Sequence, residues 1–426
     1  MKLLVVGGGG REHAIIKKLK ENPQVETIYA LPGNGGIARD AVCVPSIGAK
    51  DIGKIVDFAK AHAIDFAVVA PDDPLALGCV DRLHEAGVPC FGPDAKAARI
   101  EASKVFSKNL MKKYGIPTAR YEVFDDPAKA LAYLRKTNTF PIVVKADGLA
   151  LGKGVLIPQN LTEAEAAVKS IMEDKAFGDS GNEIVIEEFL TGPEVSVLAF
   201  TDGTAIAPMV SSMDHKRAGD GDTGLNTGGM GTVAPNPCYT PEVAAECMEK
   251  IFLPTLAAMR AEGCPFQGCL YFGLMVTPDG PKVIEYNCRF GDPETQVVLP
   301  LLKTDLLTVM QAVENKTLGE LKVEWSDGAA ACVILASGGY PGSYPKGKEI
   351  TVPADLPENV TVYHAGDKLD GDKLVTSGGR VLGVTAVGGT LEAALKDAYA
   401  AAEHIDFEGK YMRHDIGKRA LAALEG

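Results

Sequence analysis

The chain has 426 residues, 46% of them hydrophobic, and a formal net charge of −13. That length suggests roughly three domains at about 150 residues each, and the acidic balance argues against a broad footprint for nucleic acid or anionic membrane, both of which need clustered positive charge. Nine cysteines, an odd number without a C-x-x-C pair, indicate neither a zinc module nor a disulfide framework.

The sequence enters a strand pattern at once, without a basic leader. Its purest apolar run, Ala329 to Ala336, is too short to span a bilayer, so a cytoplasmic location is expected. Over the first hundred residues short apolar runs alternate with helical patterns. Strands are predicted at Lys2 to Val6, Thr27 to Ala30 and Phe66 to Ala70, and helices at Arg11 to Lys20, Asp51 to His62 and Pro74 to Ala86. Right-handed crossovers would join them into a doubly wound parallel α/β sheet. Gly7-Gly8-Gly9-Gly10 falls between the first strand and its helix, where backbone N–H groups can hold a phosphate. As a dinucleotide fingerprint it is weak, because the third small residue falls at Glu12 and the second strand runs into Pro32-Gly33-Asn34 without an acidic ribose ligand. A turn kept glycine-rich only for close packing is the other reading.

The stretch Val143 to Val155 fails the Walker pattern: three residues separate Gly148 from Gly152, and Gly154 stands where a magnesium-binding Ser or Thr belongs. Strand, flexible loop, strand describes it better, a hairpin lid over nucleotide phosphates. Lys145 would meet those phosphates; otherwise it is a solvated strand lysine. Glu183 to Leu190 reads as a strand whose end, Glu187-Glu188-Phe189-Leu190, suits the edge of a nucleotide base, with Glu194 placed for ribose hydroxyls or merely at the surface. Asp214 to Arg217 and the Gly-rich Asp222 to Gly231 cannot build a core and read as a substrate loop or a mobile surface loop.

The most informative segment is Val283 to Gln296, V-I-E-Y-N-C-R-F-G-D-P-E-T-Q. In an extended strand Glu285 and Asn287 share a face, and hard oxygen donors of this kind suit Mg²⁺ held jointly with substrate phosphates. Arg289 follows as a permanent cation able to neutralise phosphoryl oxygens. The bland alternative is an edge strand with a solvated polar face.

Taken together, G-G-G-G-R-E-H at Gly7 to His13, P-G-N at Pro32 to Asn34, E-A-S-K at Glu101 to Lys104, K-A-D-G-L-A-L-G-K-G at Lys145 to Gly154, E-E-F-L at Glu187 to Leu190, D-H-K-R at Asp214 to Arg217, N-T-G-G-M-G at Asn226 to Gly231 and R-F-G-D-P-E-T-Q at Arg289 to Gln296 carry a resemblance. The chain resembles the ATP-grasp superfamily and, within it, the phosphoribosylamine glycine ligase (glycinamide ribonucleotide synthetase) family, over essentially its whole length. The resemblance implies an ATP-grasp core with a lid, an N-terminal doubly wound parallel α/β domain and a small C-terminal β-rich domain. Its implied boundaries are 1–101 for the N-terminal substrate domain, 102–122 and 190–326 for the two core segments, 123–189 for the lid and 327–426 for the C-terminal domain.

By the same resemblance, ATP as cosubstrate would contact Lys104, Lys145, Gly152, Lys153, Gly154, Glu187, Glu188, Phe189, Leu190 and Glu194, and Glu285 with Asn287 would bind Mg²⁺ or Mn²⁺. Glycine and 5-phosphoribosylamine would face Gly9, Gly10, Gly33, Asn34, Asp72, Asp214, Asn226, Gly228, Gly229, Arg289, Asp292 and Pro293, with Arg289 and Lys145 in catalytic roles. A monomer or weak homodimer is expected, with neither nucleic acid nor membrane as partner. Three positions depart from the family: Leu225 replaces a frequent proline, Asp72 replaces a frequent glutamate, and Leu270 to Val276 lacks a carboxylate that many ATP-grasp enzymes add as a metal ligand. Gly338 to Pro341 and Ser377 to Arg380 read as turns. Competing classes are another ATP-grasp ligase or carboxylase, a nicotinamide dehydrogenase resting on the first glycines alone, and a noncatalytic nucleotide sensor.

Overall fold

The computed structural model describes residues 1–149 and 154–425. The first hundred residues form a five-stranded parallel sheet in the order Val42–Cys43, Thr27–Pro32, Lys2–Gly7, Phe66–Val69, Cys90–Phe91. Its central strand is buried on both faces, Leu4 and Val6 on one side and Leu3 and Val5 on the other, as the unbroken apolar run requires. The helix expected over Pro74 to Ala86 is two helices, Asp72–Ala76 and Cys79–Glu85, because Gly78 between them adopts a left-handed φ of +82° that no helix continues through.

The next unit is a four-stranded antiparallel sheet in the order Tyr121–Phe124, Ile184–Glu188, Ile142–Ala146, Val155–Leu156. Ile142, Val144, Ala146, Ile184 and Ile186 turn one face toward helices Pro127–Thr137 and Leu161–Val168. The alternation of the strands then sends Lys145 and Glu187 to the other face. A second antiparallel sheet, Ile206–Pro208, Glu194–Asp202, Gln267–Thr277, Gly280–Asn287, lies beyond that face.

A larger antiparallel sheet runs Met213–Asp214, Gly231–Ala234, Ala329–Ser337, Arg380–Gly388, Val360–His364, with Lys410–Tyr411 also paired to Ala329–Ser337 and helix Leu391–His404 packed on it through Leu391, Ala394, Leu395 and Ala398. Two of its strands come from the segment around Asp214 to Gly231, so the Gly-rich stretch is less loop than its composition implied. Part of it also forms a hairpin of its own, Arg217–Gly219 with Thr223–Asn226. Among the described residues no helix is long and apolar enough to cross a membrane, and all nine cysteines are free thiols.

The N-terminal and C-terminal units are joined through His13. Its Nδ1 accepts from the His364 N–H at 2.8 Å while its Nε2 meets Asp40 Oδ2 at 2.8 Å, which fixes the neutral tautomer with the proton on Nε2. Burial pushes this imidazole down from 6.5 to about 4, against the pull of Asp40. A folded value below the unfolded one means that the unfolded chain takes the proton first. The stabilisation from this group is complete above pH 6.5 and is lost as pH falls toward 4, at about 1.4 kcal/mol per pH unit. His13→Gln should therefore flatten the acid limb of melting temperature against pH. An unaltered slope between pH 6.5 and 4.5 would contradict the buried neutral state.

Candidate active site

The strand Gly280–Asn287 is the last of its sheet, and its outer side is met at Val283, whose N–H donates to the Pro117 carbonyl at 2.8 Å. Val283 and Tyr286 point into the core, and Glu285 and Asn287 share the half-buried face. The ladder slips by one residue at Gly273 and Leu274, which leaves Ile284 unpaired. Its released carbonyl accepts from Lys145 Nζ at 3.2 Å, so the bulge is where the lid face touches the strand. The edge-strand reading was right about position, but the polar face is not simply solvated. Lys216 Nζ stands 3.6 Å from Glu285 Oε1. Burial works to raise the Glu285 carboxyl, yet the fields of Lys216, Lys145, Lys104 and Arg289 outweigh it and hold the group below the usual carboxylate range.

Lys145 is 3% exposed and Glu187 4%, which disposes of the solvated-lysine alternative. Glu187 carries two ammonium groups, Lys145 on Oε1 and Lys108 on Oε2. Lys108 also donates to Thr118 Oγ1 at 2.7 Å, and that hydroxyl donates to the Val283 carbonyl at 2.7 Å. Lys104 opens the helix Lys104–Tyr114 and donates to the Gly148 carbonyl at 2.7 Å. Asp147 closes the same helix end by accepting from Ser103 Oγ at 3.2 Å and Val105 N–H at 3.1 Å. The K-A-D-G run thereby ties the lid to the core. Gly152 and Lys153 lie outside the described residues; Gly154 leads into the second hairpin strand, and its carbonyl accepts from the Ala146 N–H at 2.8 Å.

Not every acid of E-E-F-L faces this cleft. The Glu188 carboxylate is taken by Arg120, whose Nε, Nη2 and backbone N–H donate at 2.9, 2.8 and 3.0 Å. Phe189 is 41% exposed, Leu190 is half-buried, and Glu194 is exposed with Lys216 3.9 Å away.

Just past the strand, Arg289 Nη2 donates to Glu101 Oε1 at 2.7 Å and lies 3.8 Å from Asp72 Oδ2, while Glu101 Oε2 accepts from the Cys288 N–H at 2.7 Å. The Arg289 Nε is buried with no protein partner, a donor left over for something else. Asp292 accepts from Arg11 N–H at 3.3 Å and Gln296 Nε2 at 2.8 Å, and its carbonyl accepts from Arg380 Nη1 at 2.7 Å. Arg380, expected in a turn, begins a strand and reaches across to this segment. Gly229, at φ +123°, is wedged so tightly that a Cβ would stand 2.5 Å from Pro293 Cδ and 2.7 Å from Asp214 Oδ1; the neighbouring Gly228 lies against the Arg380 guanidinium. Burial lifts both the Asp214 and Glu294 carboxyls, and the Glu294 charge adds to the rise at Asp214, while Tyr271, Lys216 and Arg289 oppose it at Glu294. Glu294 Oε1 accepts from Tyr271 OH at 2.9 Å.

The N-terminal glycine turn reaches the same region but is not an open phosphate cradle. The Gly9 N–H donates to Glu12 Oε2 at 2.6 Å, so the residue that spoils the dinucleotide fingerprint occupies the helix end itself. A Cβ on Gly8 would stand 2.3 Å from the Gly33 carbonyl, and one on Gly10 2.6 Å from Gln296 Nε2. The Asn34 amide is consumed by the Gly8 and His364 carbonyls at 2.9 and 2.8 Å and by the Ile37 N–H at 2.8 Å. Asn226 sits on the exposed hairpin, apart from Gly228 and Gly229.

Glu101, Lys108, Lys216 and Glu294 are the participants that sequence reasoning gave no role. Lys108 had a signal: it follows Lys104 by four residues and so shares its helix face. The others lie inside the motifs that carry the resemblance, but the contacts that set their roles join segments far apart in the chain.

Family models match in three consecutive parts: the phosphoribosylglycinamide synthetase N domain over residues 1–101, its ATP-grasp (A) domain over 102–295 and its C domain over 330–419. The phosphoribosylamine–glycine ligase of Chlorobaculum tepidum is 49% identical over 425 residues, covering 99% of this chain and 100% of the relative. The bifunctional purine biosynthetic protein PUR2,5 of Pichia angusta is 50% identical over 99% of this chain, which spans 54% of that longer protein. The chain spans 42% of the trifunctional purine biosynthetic protein adenosine-3 of Gallus gallus, at 49% identity. Among solved structures, the phosphoribosylamine–glycine ligase of Thermotoga maritima superposes with a TM-score of 0.85 at 37% identity, covering 98% of this chain and 100% of that one. The biotin carboxylase domain of Hydrogenobacter thermophilus 2-oxoglutarate carboxylase gives 0.72 at 17% identity over 96% and 91% of the two chains, a likeness of fold.

Proposed function

The chain belongs to the phosphoribosylglycinamide synthetase family, and from that premise we propose that it joins glycine to 5-phosphoribosylamine at the expense of ATP, giving glycinamide ribonucleotide, ADP and phosphate in de novo purine biosynthesis. The observation that supports this most is the meeting of the lid pair Lys145 and Glu187 with the strand end bearing Glu285, Asn287 and Arg289. A carboxylate is a poor electrophile, since direct attack by an amine would expel oxide. Transfer of the γ-phosphoryl group to the glycine carboxylate gives glycyl phosphate and ADP. The phosphoribosylamine nitrogen then attacks the acyl carbon, phosphate leaves, and the nitrogen loses a proton to complete the amide.

No covalent bond to the protein is needed, so catalysis rests on positioning and charge neutralisation. Lys104 and Lys145 hold the phosphates, the Glu187 to Leu190 strand end lines the base with Glu188 contributing backbone, and Glu194 reaches the ribose. Gly152, Lys153 and Gly154 also contact ATP, and exclusion of water from the cleft protects the acyl phosphate. Arg289, with its unclaimed Nε, neutralises the transferred phosphoryl oxygens. Gly9, Gly10, Gly33, Asn34, Asp72, Asp292 and Pro293 form the rigid wall for phosphoribosylamine, and Asp214, Asn226, Gly228 and Gly229 flank glycine.

On this reading ATP is used with a divalent cation. The donor set here fits one: an ionised carboxylate at Glu285 and an amide oxygen at Asn287 on one strand face. These two residues would hold Mg²⁺ or Mn²⁺, which supplies positive charge at the phosphate oxygens. The protein is cytoplasmic, a monomer or weak homodimer, and takes neither nucleic acid nor membrane as partner. The test combines ATP, Mg²⁺, glycine and freshly generated phosphoribosylamine and measures amide product and phosphate with each substrate omitted. Product should require all three; no product while the labile amine is preserved rejects the proposal.

A further inference from the structure

We propose that Lys108 is a positioning residue for the nucleotide: by keeping Glu187 neutralised, it leaves the Lys145 ammonium available to the phosphates. The inference rests on the reading above that ATP lies against Lys145. Lys108 is 2% exposed, on the helix Lys104–Tyr114, and it is spent on the protein: its ammonium lies on Glu187 Oε2 and donates to Thr118 Oγ1. It offers nothing to a ligand directly.

What it changes is the charge count. A lone Lys145–Glu187 pair would be neutral and self-satisfied, with Lys145 bound to its carboxylate at the cost of any other partner. With Lys108 present, two buried ammonium groups face one buried carboxylate. The surplus positive charge is costly away from water unless an anion arrives. Lys104 adds to that surplus from the same helix face, and its own ammonium is made harder to keep by burial and by Lys145, with Glu285 opposing. The cluster is thus preset for a polyanion, and Lys145 can turn toward it without leaving Glu187 unpaired.

The charge on Lys108 is itself conditional. Burial pushes it down to about 8, with Glu187 and Glu188 from the lid strand raising it and Lys145 from the neighbouring strand lowering it. Lys104 one turn back on the helix, Tyr121, whose ring centroid is 5.6 Å away, and Lys112, 5.7 Å from the same ring, also lie near it. Loss of the proton would hand Glu187 back to Lys145 alone.

The experiment measures the Kd for MgATP by calorimetry on the full chain, with KM for glycine and phosphoribosylamine measured alongside. Lys108→Met should raise the Kd about tenfold or more while leaving the two KM values within about twofold, and Lys108→Arg should restore binding to within about threefold. In the wild type the Kd should rise about tenfold between pH 7 and 9.5, whereas Lys108→Arg, which keeps its charge, should rise no more than about threefold, the part that Lys104 contributes. Wild-type affinity in Lys108→Met, or an equal loss for all three substrates, overturns the assignment. If Lys108→Met does not fold, a wild-type Kd independent of pH overturns it alone. A wild type that binds no ATP would instead bring down the underlying functional reading.

Discussion

Arg289→Ala should lower kcat about a hundredfold or more at saturating substrates, the loss of roughly 3 kcal/mol from one preorganised donor to a developing anionic transition state. The side chain is only 18% exposed and is gripped by Glu101 and, more distantly, Asp72, so its direction is fixed before substrate arrives. Those two carboxylates hold its charge firmly, raising a guanidinium that is already always protonated, although burial alone works against it. Truncation also strands Glu101 in the interior. Burial already lifts that carboxyl, so it can take up a proton rather than remain an unpaired charge, and the variant should still fold. Arg289→Lys keeps the charge but loses the fork, and should recover only part of the rate. The check is steady-state turnover beside a thermal melt; a variant that folds and turns over like the wild type removes Arg289 from the chemistry.

Glu285→Gln should have the larger effect, on the order of a thousandfold in kcat, or ~4 kcal/mol. The substitution keeps the shape but deletes a negative charge on which Lys216, Lys145, Lys104 and Arg289 all act. Two consequences follow. The face loses its anionic donor for a hard cation, so the metal concentration giving half-maximal activity should rise. The lysines also lose a partner, Lys216 most of all, since its pKa is raised chiefly by Glu285. Titrating activity with Mg²⁺ and Mn²⁺ separates these effects: a variant with an unchanged metal requirement and a reduced rate would mean that Glu285 organises lysines rather than binding metal.

Much of this was legible because the elements obey local rules. The parallel N-terminal sheet announces itself in short apolar runs separated by helical periods, and the face shared by Glu285 and Asn287 follows from a period of two. The hairpin around Lys145 was visible in its strand, glycine loop, strand order. What was not legible came from pairing at a distance. The bulge that frees the Ile284 carbonyl belongs to the register with a partner strand, not to the composition of either. The Glu12 carboxylate at the glycine turn competes with a phosphate on equal chemical terms, and sequence cannot say which wins. The two-helix break at Gly78 depends on a single backbone angle. Glu101 and Arg289 are 188 residues apart, and only the packed fold brings them together. The Gly-rich segment looked structureless because the strand that ends it, Gly231–Ala234, pairs with Ala329–Ser337, remote in sequence.

The central claim is that the glycine carboxylate is activated by phosphorylation in this cleft, and oxygen transfer tests it most directly. Turnover with glycine labelled with ¹⁸O in both carboxylate oxygens, followed by mass analysis of the released phosphate, should find one labelled oxygen per phosphate formed, because the oxygen that accepts the phosphoryl group leaves with it. Phosphate released without label, while amide product accumulates, would contradict the account.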